Sequence, residues 1–391
     1  MEGGIAENCV NRLKKGSVYS MVEITSIIAD WYISTLFFYV TIIILGYLCA
    51  CYGKNKIIKI GKVRSHLDIV LLGILMLAVK GFSITGRDIR AGYYYNFVTA
   101  RTLGSIYDQS LEIGYKVLNV IIYNLTHNYY VLIFVVAVLT ISPFLYLLNK
   151  YRNEIDTPLV VLAYLTIYFF SGFSPIRNFL AASIAMLVFD AICEKKKWKA
   201  IFLLLISISF HTSMVILLIP YFFCFARKLQ KKEIFAMLGL IFITIFAGKN
   251  WIFAFFMGSD RYSKYANTTF SGFGLEQIAY YLPIFYLIWK TRNIAENYRT
   301  RVSISYAFTG FVFGMLGYVV TVFGRTQTAF MPLVFVIGYH FKMIESNRIK
   351  NKYILMLFMT IYCAVRFWLY ISQYYNLEDI MPYTNIFGMT I

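Results

Sequence analysis

Long apolar runs alternate with short polar connections along most of the 391-residue chain. Several runs approach the roughly 20 residues that an α-helix needs to cross the hydrocarbon core of a bilayer. The pattern predicts an all-α polytopic membrane protein with about 12 transmembrane segments. The predicted helices cover residues 31–51, 67–84, 129–148, 159–173, 176–192, 234–249, 277–290, 302–323, 326–342 and 353–373, and two further segments fall within 200–226.

The stretch KKKWKAIFLLLISISFHTSMVILLIPYFFCFARKLQKK, residues 195–232, contains those two segments. Its central residues 200–226 include no Lys, Arg, Asp or Glu. They would form a helix of about 40 Å, too long for one level crossing and too short for two full ones. Because both ends are lysine-rich, we expect a short helical hairpin that turns near His211. The alternative, one long tilted helix, would place the later basic loops on the opposite side of the membrane.

The composition fits a membrane protein, since 59% of the residues are hydrophobic and only 14% are charged. The net charge of +18 would by itself suggest a nucleic-acid partner. However, most Lys and Arg residues lie in alternate short loops between the predicted helices, which is the distribution that the positive-inside rule describes. The charge therefore indicates orientation, and the sequence contains no nucleic-acid-binding module.

The predicted helices divide the chain into three parts. An N-terminal outer segment covers residues 1–30, a transmembrane domain covers residues 31–373, and a polar outer tail covers residues 374–391. The transmembrane domain includes two long outer loops, residues 85–128 and 250–276. With this topology, several ionisable residues gather at the outer face.

Arg177 and Arg325 are the most distinctive of these residues. Each is a lone arginine in a tight outer connection, within SGFSPIRN and FGRTQT, where the positive-inside rule disfavours it. A guanidinium offers a fork of donors that matches phosphate, so arginines converging from separate loops would bind a diphosphate. The alternative is that both side chains snorkel to lipid headgroups.

Two residues are candidates for a general base. His211 lies at the expected hairpin turn, and histidine titrates near neutral pH. The alternative is a structural histidine with satisfied hydrogen bonds, which is how we interpret His66, His127 and His340. Asp88 is a second candidate acceptor of a proton, but it could equally pair with Arg87 or Arg90 in the same outer segment.

Weaker candidates accompany these residues. Arg87, Arg90 and Arg261 would assist a diphosphate site, although Asp260 and Arg261 also form a plausible local ion pair. Tyr93 and Tyr95 could stack on sugar rings, but tyrosine is common at membrane interfaces. The sequence contains no nucleotide-binding glycine-rich loop, no Asp-x-Asp pair, no nucleophile elbow and no metal-ligand spacing of cysteines.

Five segments occur in an order that resembles a known family. GRDIRAGYYYNF follows the second predicted helix, SPIRNFLAASIAMLVFD lies in the middle, and KKKWKAIFLLLISISFHTSMVILLIP comes directly after it, before DRYSKY and MPYTNIF. Together they resemble the EpsG-like branch of the Wzy-type polymerases, which make O-antigen, capsule or exopolysaccharide. The resemblance covers most of the chain after residue 30.

The resemblance implies an enzyme of the bacterial plasma membrane whose active site faces outward. It would polymerise oligosaccharide repeat units linked to undecaprenyl diphosphate, without a metal or other cofactor. A hydroxyl of one lipid-linked repeat would attack the anomeric carbon of another, and undecaprenyl diphosphate would leave. Membrane lipids, a repeat-unit flippase and a chain-length regulator are the implied partners, with no nucleic acid.

The residues fit this chemistry. Arg177 and Arg325 would hold the diphosphate, with Arg87, Arg90 or Arg261 assisting, and His211 or Asp88 would activate the attacking hydroxyl. The alternatives are a related glycan ligase or other membrane transferase, such as an O-acyltransferase, and a transporter or flippase of lipid-linked glycans.

Overall fold

The computed structural model describes residues 21–53, 56–60, 63–225, 239, 275–295, 297–317, 324–346, 352–374 and 378–391. These residues are mostly helical. One short antiparallel hairpin, β1 (Ile57–Ile60) and β2 (Val63–His66), connects the first two helices, with Ile57 opposite His66. The predicted helix 234–249, most of the loop 250–276 and Arg261 lie outside the described residues.

The first half of the chain contains seven helices among its described residues. They are α1 (Met21–Gly53), α2 (Leu67–Lys80), α3 (Tyr94–Val98), α4 (Ile113–Thr126), α5 (Tyr129–Tyr151), α6 (Thr157–Tyr164) and α7 (Ile176–Cys193). A π-helical turn precedes α3, and a π-helical turn followed by a 3-10 turn extends α6 to Gly172. The described part of α1 thus begins ten residues before the helix that the apolar pattern predicts, and α3 and α4 lie inside the predicted outer loop.

The second half contributes further helices. They are α8 (Lys197–Phe210), α9 (Leu218–Phe225), α10 (Leu275–Thr291), α11 (Asn297–Gly317), α12 (Leu333–Ser346) and α13 (Lys352–Tyr374), with 3-10 turns at Thr212–Leu217 and Arg325–Phe330. Within the described part of the chain, four helical segments are long and apolar enough to cross a membrane: Tyr32–Gly53, Tyr129–Tyr151, Ile176–Cys193 and Lys352–Gln373. The all-α membrane class is confirmed, while the total of about 12 segments remains a prediction.

The hairpin around His211 is present. α8 ends at Phe210, His211 takes an extended conformation with φ −157°, and the 3-10 turn that follows leads into α9. Both ends of the hairpin lie near the start of α11. Before α8, the Lys195 ammonium lies 4.7 Å from the Tyr298 ring. At the end of α9, Cys224 lies beside Arg301, and Arg301 stacks on the same Tyr298 ring. The chain therefore turns at His211 as predicted.

Helix α7 forms the centre of the bundle and packs against α5 and α8. Its small residues Ala181, Ala182 and Ala185 are fully buried, so the neighbouring backbones can approach closely. Ser207 of α8 donates a hydrogen bond to the Ala181 carbonyl at 2.7 Å. A row of small side chains thus lets α7 sit between two helices, and it fixes the position of the residues at both of its ends.

One end of the bundle is rich in lysine. Asp190, near the end of α7, is almost fully buried and accepts hydrogen bonds from Lys150 and from the Tyr151 hydroxyl. Lys150 also pairs with Glu194, to which Lys196 and Lys199 are close. We call this the lysine-rich end. The start of α7, and with it Arg177, lies at the opposite end of the same helix.

The predicted outer loop 85–128 is a folded cap rather than an open connection. It has its own hydrophobic core, in which Phe97 and Tyr115 are buried against Ile133 of α5 and Leu180 of α7. Helix α4 turns one face inward with Tyr115 and Ile122 and the other outward with Leu125. The cap therefore rests on the ends of α5 and α7 opposite the lysine-rich end.

The C-terminal tail packs inside the protein. Ile380 and Tyr383 are 0% and 2% exposed. Tyr39 of α1 donates to the Ile380 carbonyl at 2.6 Å, and Tyr383 donates to the Val79 carbonyl of α2 at 2.8 Å. The sequence predicts a polar outer tail, and in the structure its hydroxyls and backbone find partners on α1 and α2, so the segment is inserted between them.

Candidate functional site

An ion pair joins the cap to the start of α7. Glu112 is the residue immediately before α4, and Arg177 lies in the first turn of α7 after Ser174 and Pro175. The Arg177 guanidinium pairs through Nη1 with Oε2 of Glu112. The two side chains are 17% and 5% exposed, so the pair is largely shielded from water. Arg177 is therefore held in place from the neighbouring loop.

The hairpin turn meets the same carboxylate. His211 places Nδ1 3.3 Å from Oε1 of Glu112. The backbone N–H and the hydroxyl of Thr212 both donate to this oxygen at 3.2 Å. These contacts exist because the helix breaks at His211, which frees the Thr212 N–H from the helical ladder. Glu112, Arg177, His211 and Thr212 are the four residues that we call the carboxylate cluster.

The electrostatics of the cluster keep Glu112 charged. Burial raises the pKa of this carboxyl, but the hydrogen bond from His211 and the positive charge of Arg177 outweigh it and lower the pKa to about 2. A carboxylate facing Nδ1 favours the imidazole tautomer with the proton on Nδ1, which leaves Nε2 as the acceptor. The arrangement can thus orient a histidine for proton abstraction.

Arg177 retains capacity for a ligand. Glu112 uses Nη1, while the buried Nε has no hydrogen-bond partner within the described residues. An arginine has five N–H donors, and its Nε side offers a second edge for binding an oxyanion. A guanidinium anchored by a carboxylate on one edge can therefore bind a phosphate oxygen with the other.

The turn that carries Arg87, Asp88 and Arg90 lies beside the start of α7. The Asp88 N–H donates to the Ser174 hydroxyl at 3.4 Å, and Arg90 Nε donates to the Ile84 carbonyl at 3.3 Å. Gly86 has φ +113° and touches Phe173 and Ser174 so closely that a Cβ would collide with their backbones. Glycine thus lets this turn approach α7. The structure brings Asp88 near Arg177 in the fold without a contact between the two side chains.

The tail supports this turn. The Gly86 N–H donates to the Asp379 carbonyl at 3.1 Å, and the Arg87 N–H donates to the Glu378 carbonyl at 2.9 Å. The Thr85 hydroxyl and Thr384 exchange two further hydrogen bonds. Arg87 itself is exposed. The C-terminal segment thereby fixes the loop that carries Arg87, Asp88 and Arg90 against the start of α7.

Arg325, Tyr93 and Tyr95, the other predicted site residues, are not part of the carboxylate cluster. Arg325 begins the 3-10 turn Arg325–Phe330, and its side chain is outside what the structure describes. That turn is nevertheless linked to α7, since Thr328 donates to Asn178 at 2.9 Å. Tyr95 is 54% exposed, whereas Tyr93 is 7% exposed and packs its ring against Tyr115 at 5.4 Å. A sugar-stacking role is thus better supported by position for Tyr95 than for Tyr93.

Glu112 is absent from the sequence-based predictions. Its only sequence signal is an acidic residue directly before an amphipathic helical pattern, which is typical of a helix start. That signal does not indicate a partner on α7. By contrast, His340 is the structural histidine that its sequence indicates, because Thr291 and Ser303 occupy its two ring nitrogens at 2.6 and 3.0 Å.

No group of three or more His, Cys, Asp or Glu side chains suited to holding a metal ion occurs within the described ranges. A sequence model of the EpsG family matches residues 66–385. The chain belongs to the EpsG family. EpsG is a family of Wzy-like polymerases, so the resemblance carried by the order of the five segments is confirmed. No curated protein and no solved structure matches this EpsG-family chain significantly.

The family match covers all four residues of the carboxylate cluster. It begins at His66, at the end of β2, and ends at Asn385 within the inserted tail. The carboxylate cluster, the Gly86 turn and most of the tail therefore lie inside the region that matches the EpsG family.

Proposed function

We propose that this EpsG-family protein polymerises oligosaccharide repeat units that are linked to undecaprenyl diphosphate in the bacterial plasma membrane. The observation that carries the proposal is the carboxylate cluster, in which Glu112 holds Arg177 and His211 side by side. A partly shielded cation next to an oriented base is what a displacement of a diphosphate by a hydroxyl requires. Membership of the EpsG family supports a role in polysaccharide polymerisation.

The proposed reaction is a single displacement. The acceptor hydroxyl gives its proton to Nε2 of His211 while its oxygen forms a bond to the anomeric carbon of the donor. The bond between that carbon and the diphosphate oxygen breaks, and the electron pair leaves with undecaprenyl diphosphate. Arg177 binds the departing phosphate oxygens through its free edge, which stabilises their charge in the transition state. The product is a chain longer by one transferred glycan, still attached to the acceptor's carrier.

The orientation follows from charge. The lysine-rich end would face the cytoplasm, and the carboxylate cluster at the opposite end of α7 would face outward. Arg87 and Arg90 would assist diphosphate binding, as would Arg325 and Arg261, and Asp88 would be the alternative base. No metal or other cofactor has a role in this scheme. A flippase that delivers the repeat units and a chain-length regulator would be its partners.

The experiment is the size distribution of lipid-linked and surface glycans in host cells that carry the intact gene or a deletion. Accumulation of single repeat units in the deletion would establish polymerisation. Full-length polymer stranded on its carrier would instead indicate a ligase, and an unchanged profile would contradict both and favour transport or acylation.

A further inference from the structure

Arg366 is a half-buried arginine in the middle of the apolar helix α13. Three other arginines that are largely buried each pair with a carboxylate: Arg152 with Asp68, Arg177 with Glu112 and Arg299 with Glu154. Among the described residues, Arg366 pairs with none. An ionisable residue at membrane depth is costly, and one that lacks a protein counter-ion suggests a ligand that supplies the charge.

Aromatic side chains hold the guanidinium in place. It stacks on the Tyr280 ring at 3.5 Å, and Tyr168, Tyr281 and Tyr362 surround it. Tyr362 is itself fixed, because its hydroxyl donates to the Tyr280 carbonyl at 2.9 Å. Stacking uses the face of the guanidinium, and one N–H hydrogen-bonds to the Tyr362 hydroxyl, so the remaining N–H donors can bind an oxyanion. The position is thus fixed while the hydrogen-bonding capacity remains.

The site lies at the seam between α10 and α13, on the flank that faces lipid. On one side of Arg366, Val365 and Trp368 are 48% and 58% exposed, while on the other Phe367 is buried. On α10, Leu282 is 62% exposed. Apolar side chains this exposed in a membrane helix face lipid. Because Arg366 is itself only half-buried beside these exposed side chains, a molecule in the bilayer can approach it from this side.

One acidic neighbour is occupied elsewhere. Glu276, at the start of α10, accepts a hydrogen bond from the Tyr280 hydroxyl and another from Gln373 at 3.3 Å. It contacts the far edge of the tyrosine on which Arg366 stacks. The carboxylate fixes the ring, and no carboxylate within the described ranges forms an ion pair with the guanidinium stacked on that ring.

A polar path joins this seam to the carboxylate cluster. Tyr281, next to Arg366, donates to Gln327 at 2.8 Å, and the adjacent Thr328 donates to Asn178. Asn178 follows Arg177 in the first turn of α7. The 3-10 turn Arg325–Phe330 therefore connects the residues around Arg366 with the first turn of α7, which carries Arg177.

We propose that Arg366, stacked on Tyr280, is a lateral binding site for the phosphate of a membrane lipid at the seam between α10 and α13. Two lipids carry this chemistry: the undecaprenyl diphosphate carrier of the substrate and an anionic phospholipid. The carrier is the assignment that rests on the proposed function, since the site would then admit the substrate from the bilayer. The phosphate site itself does not depend on that function.

The test is native mass spectrometry of the purified full-length protein, titrated separately with undecaprenyl diphosphate and with phosphatidylglycerol. Arg366→Gln is expected to weaken binding of at least one of them about tenfold or more, because a charge-assisted hydrogen bond is lost. Arg366→Lys keeps the charge without the fork, so a smaller loss of a few fold is expected. If Arg366→Gln folds poorly, the comparison of wild type with Arg366→Lys still tests the proposal.

Arg299→Gln is the matched control, because Arg299 also stacks on tyrosines, Tyr151 and Tyr339, but pairs with Glu154 at the lysine-rich end. If Arg366→Gln loses binding of undecaprenyl diphosphate alone, the ligand of the site is the lipid carrier. If it loses binding of phosphatidylglycerol, the ligand is a phospholipid headgroup. Unchanged binding of both lipids, or an equal loss in Arg299→Gln, would overturn the proposal. Because binding is measured without turnover, a failed glycan assay would refute the polymerase and leave this result intact.

Discussion

The carboxylate of Glu112 pairs with the guanidinium of Arg177 across 65 positions of sequence, and the same carboxylate meets His211. One residue of the cap thus holds together a residue of the central helix and a residue of the hairpin turn. The three elements come from separate parts of the chain, so the pair depends on how they pack together. The consequences for activity and stability can be measured separately.

Glu112→Gln removes the negative charge and keeps the size of the side chain. We expect chain polymerisation in membranes to fall about 10- to 100-fold, since His211 loses its orienting partner and Arg177 its anchor. The measurement is the ratio of polymer to single repeat units on the lipid carrier. Asp108→Asn is the control, because Asp108 lies in the same loop and bonds only locally to Ser110 as an acceptor. Equal polymer in wild type and Glu112→Gln would exclude the cluster as the reaction centre.

The depressed pKa of Glu112 makes stability depend on pH. Its folded pKa of about 2 lies below the ordinary value of 4.5, so the ionised carboxylate stabilises the fold above pH 4.5. This contribution, on the order of 3 kcal/mol, is lost as the pH falls from about 4.5 towards 2. Thermal unfolding of the detergent-solubilised protein between about pH 6 and about pH 3, which includes the upper part of this window, should show a steeper decline for wild type than for Glu112→Gln. Parallel curves would mean that the carboxyl is not held by its partners.

His211→Ala tests the base directly. If Nε2 accepts the proton of the attacking hydroxyl, polymerisation should fall by about 100-fold or more. Asp88→Asn is the comparison, because Asp88 is the alternative base and its backbone N–H would still bond Ser174. The residue whose replacement causes the larger loss, at equal protein level, is the one that acts on the hydroxyl.

Arg177→Lys separates charge from geometry. Lysine keeps the positive charge near Glu112 but lacks the second edge of the guanidinium, so we expect about a tenfold loss of polymerisation with a largely intact fold. Thermal stability of the variant, measured beside activity, distinguishes this from unfolding. Normal polymer length in Arg177→Ala would remove its proposed role altogether.

Tyr383→Phe tests the inserted tail. The hydroxyl of Tyr383 donates to the Val79 carbonyl inside the protein, so its removal should cost about 1 kcal/mol of stability and lower Tm by a few degrees. Tyr353→Phe is the control, because Tyr353 is 79% exposed. A tail that is merely solvated would give the same Tm for both variants.

The sequence by itself determined the helical membrane class and the break at His211. Apolar runs of helical length leave the backbone few alternatives in a bilayer, and an uncharged segment bounded by lysines must return to the side it came from. Arg177 and His211 were also recognisable, because a lone arginine or histidine at such positions is costly and therefore conspicuous.

The tertiary structure alone decided which residues meet. Glu112 follows an ordinary loop and becomes a partner only because the cap packs its own apolar core onto α5 and α7. The tail reads as polar, yet Tyr383 is buried because α1 and α2 supply its hydrogen-bond partners. Tyr93 and Tyr95 are neighbours in sequence but differ in burial. These outcomes depend on contacts between distant segments, and local pattern carries no information about them.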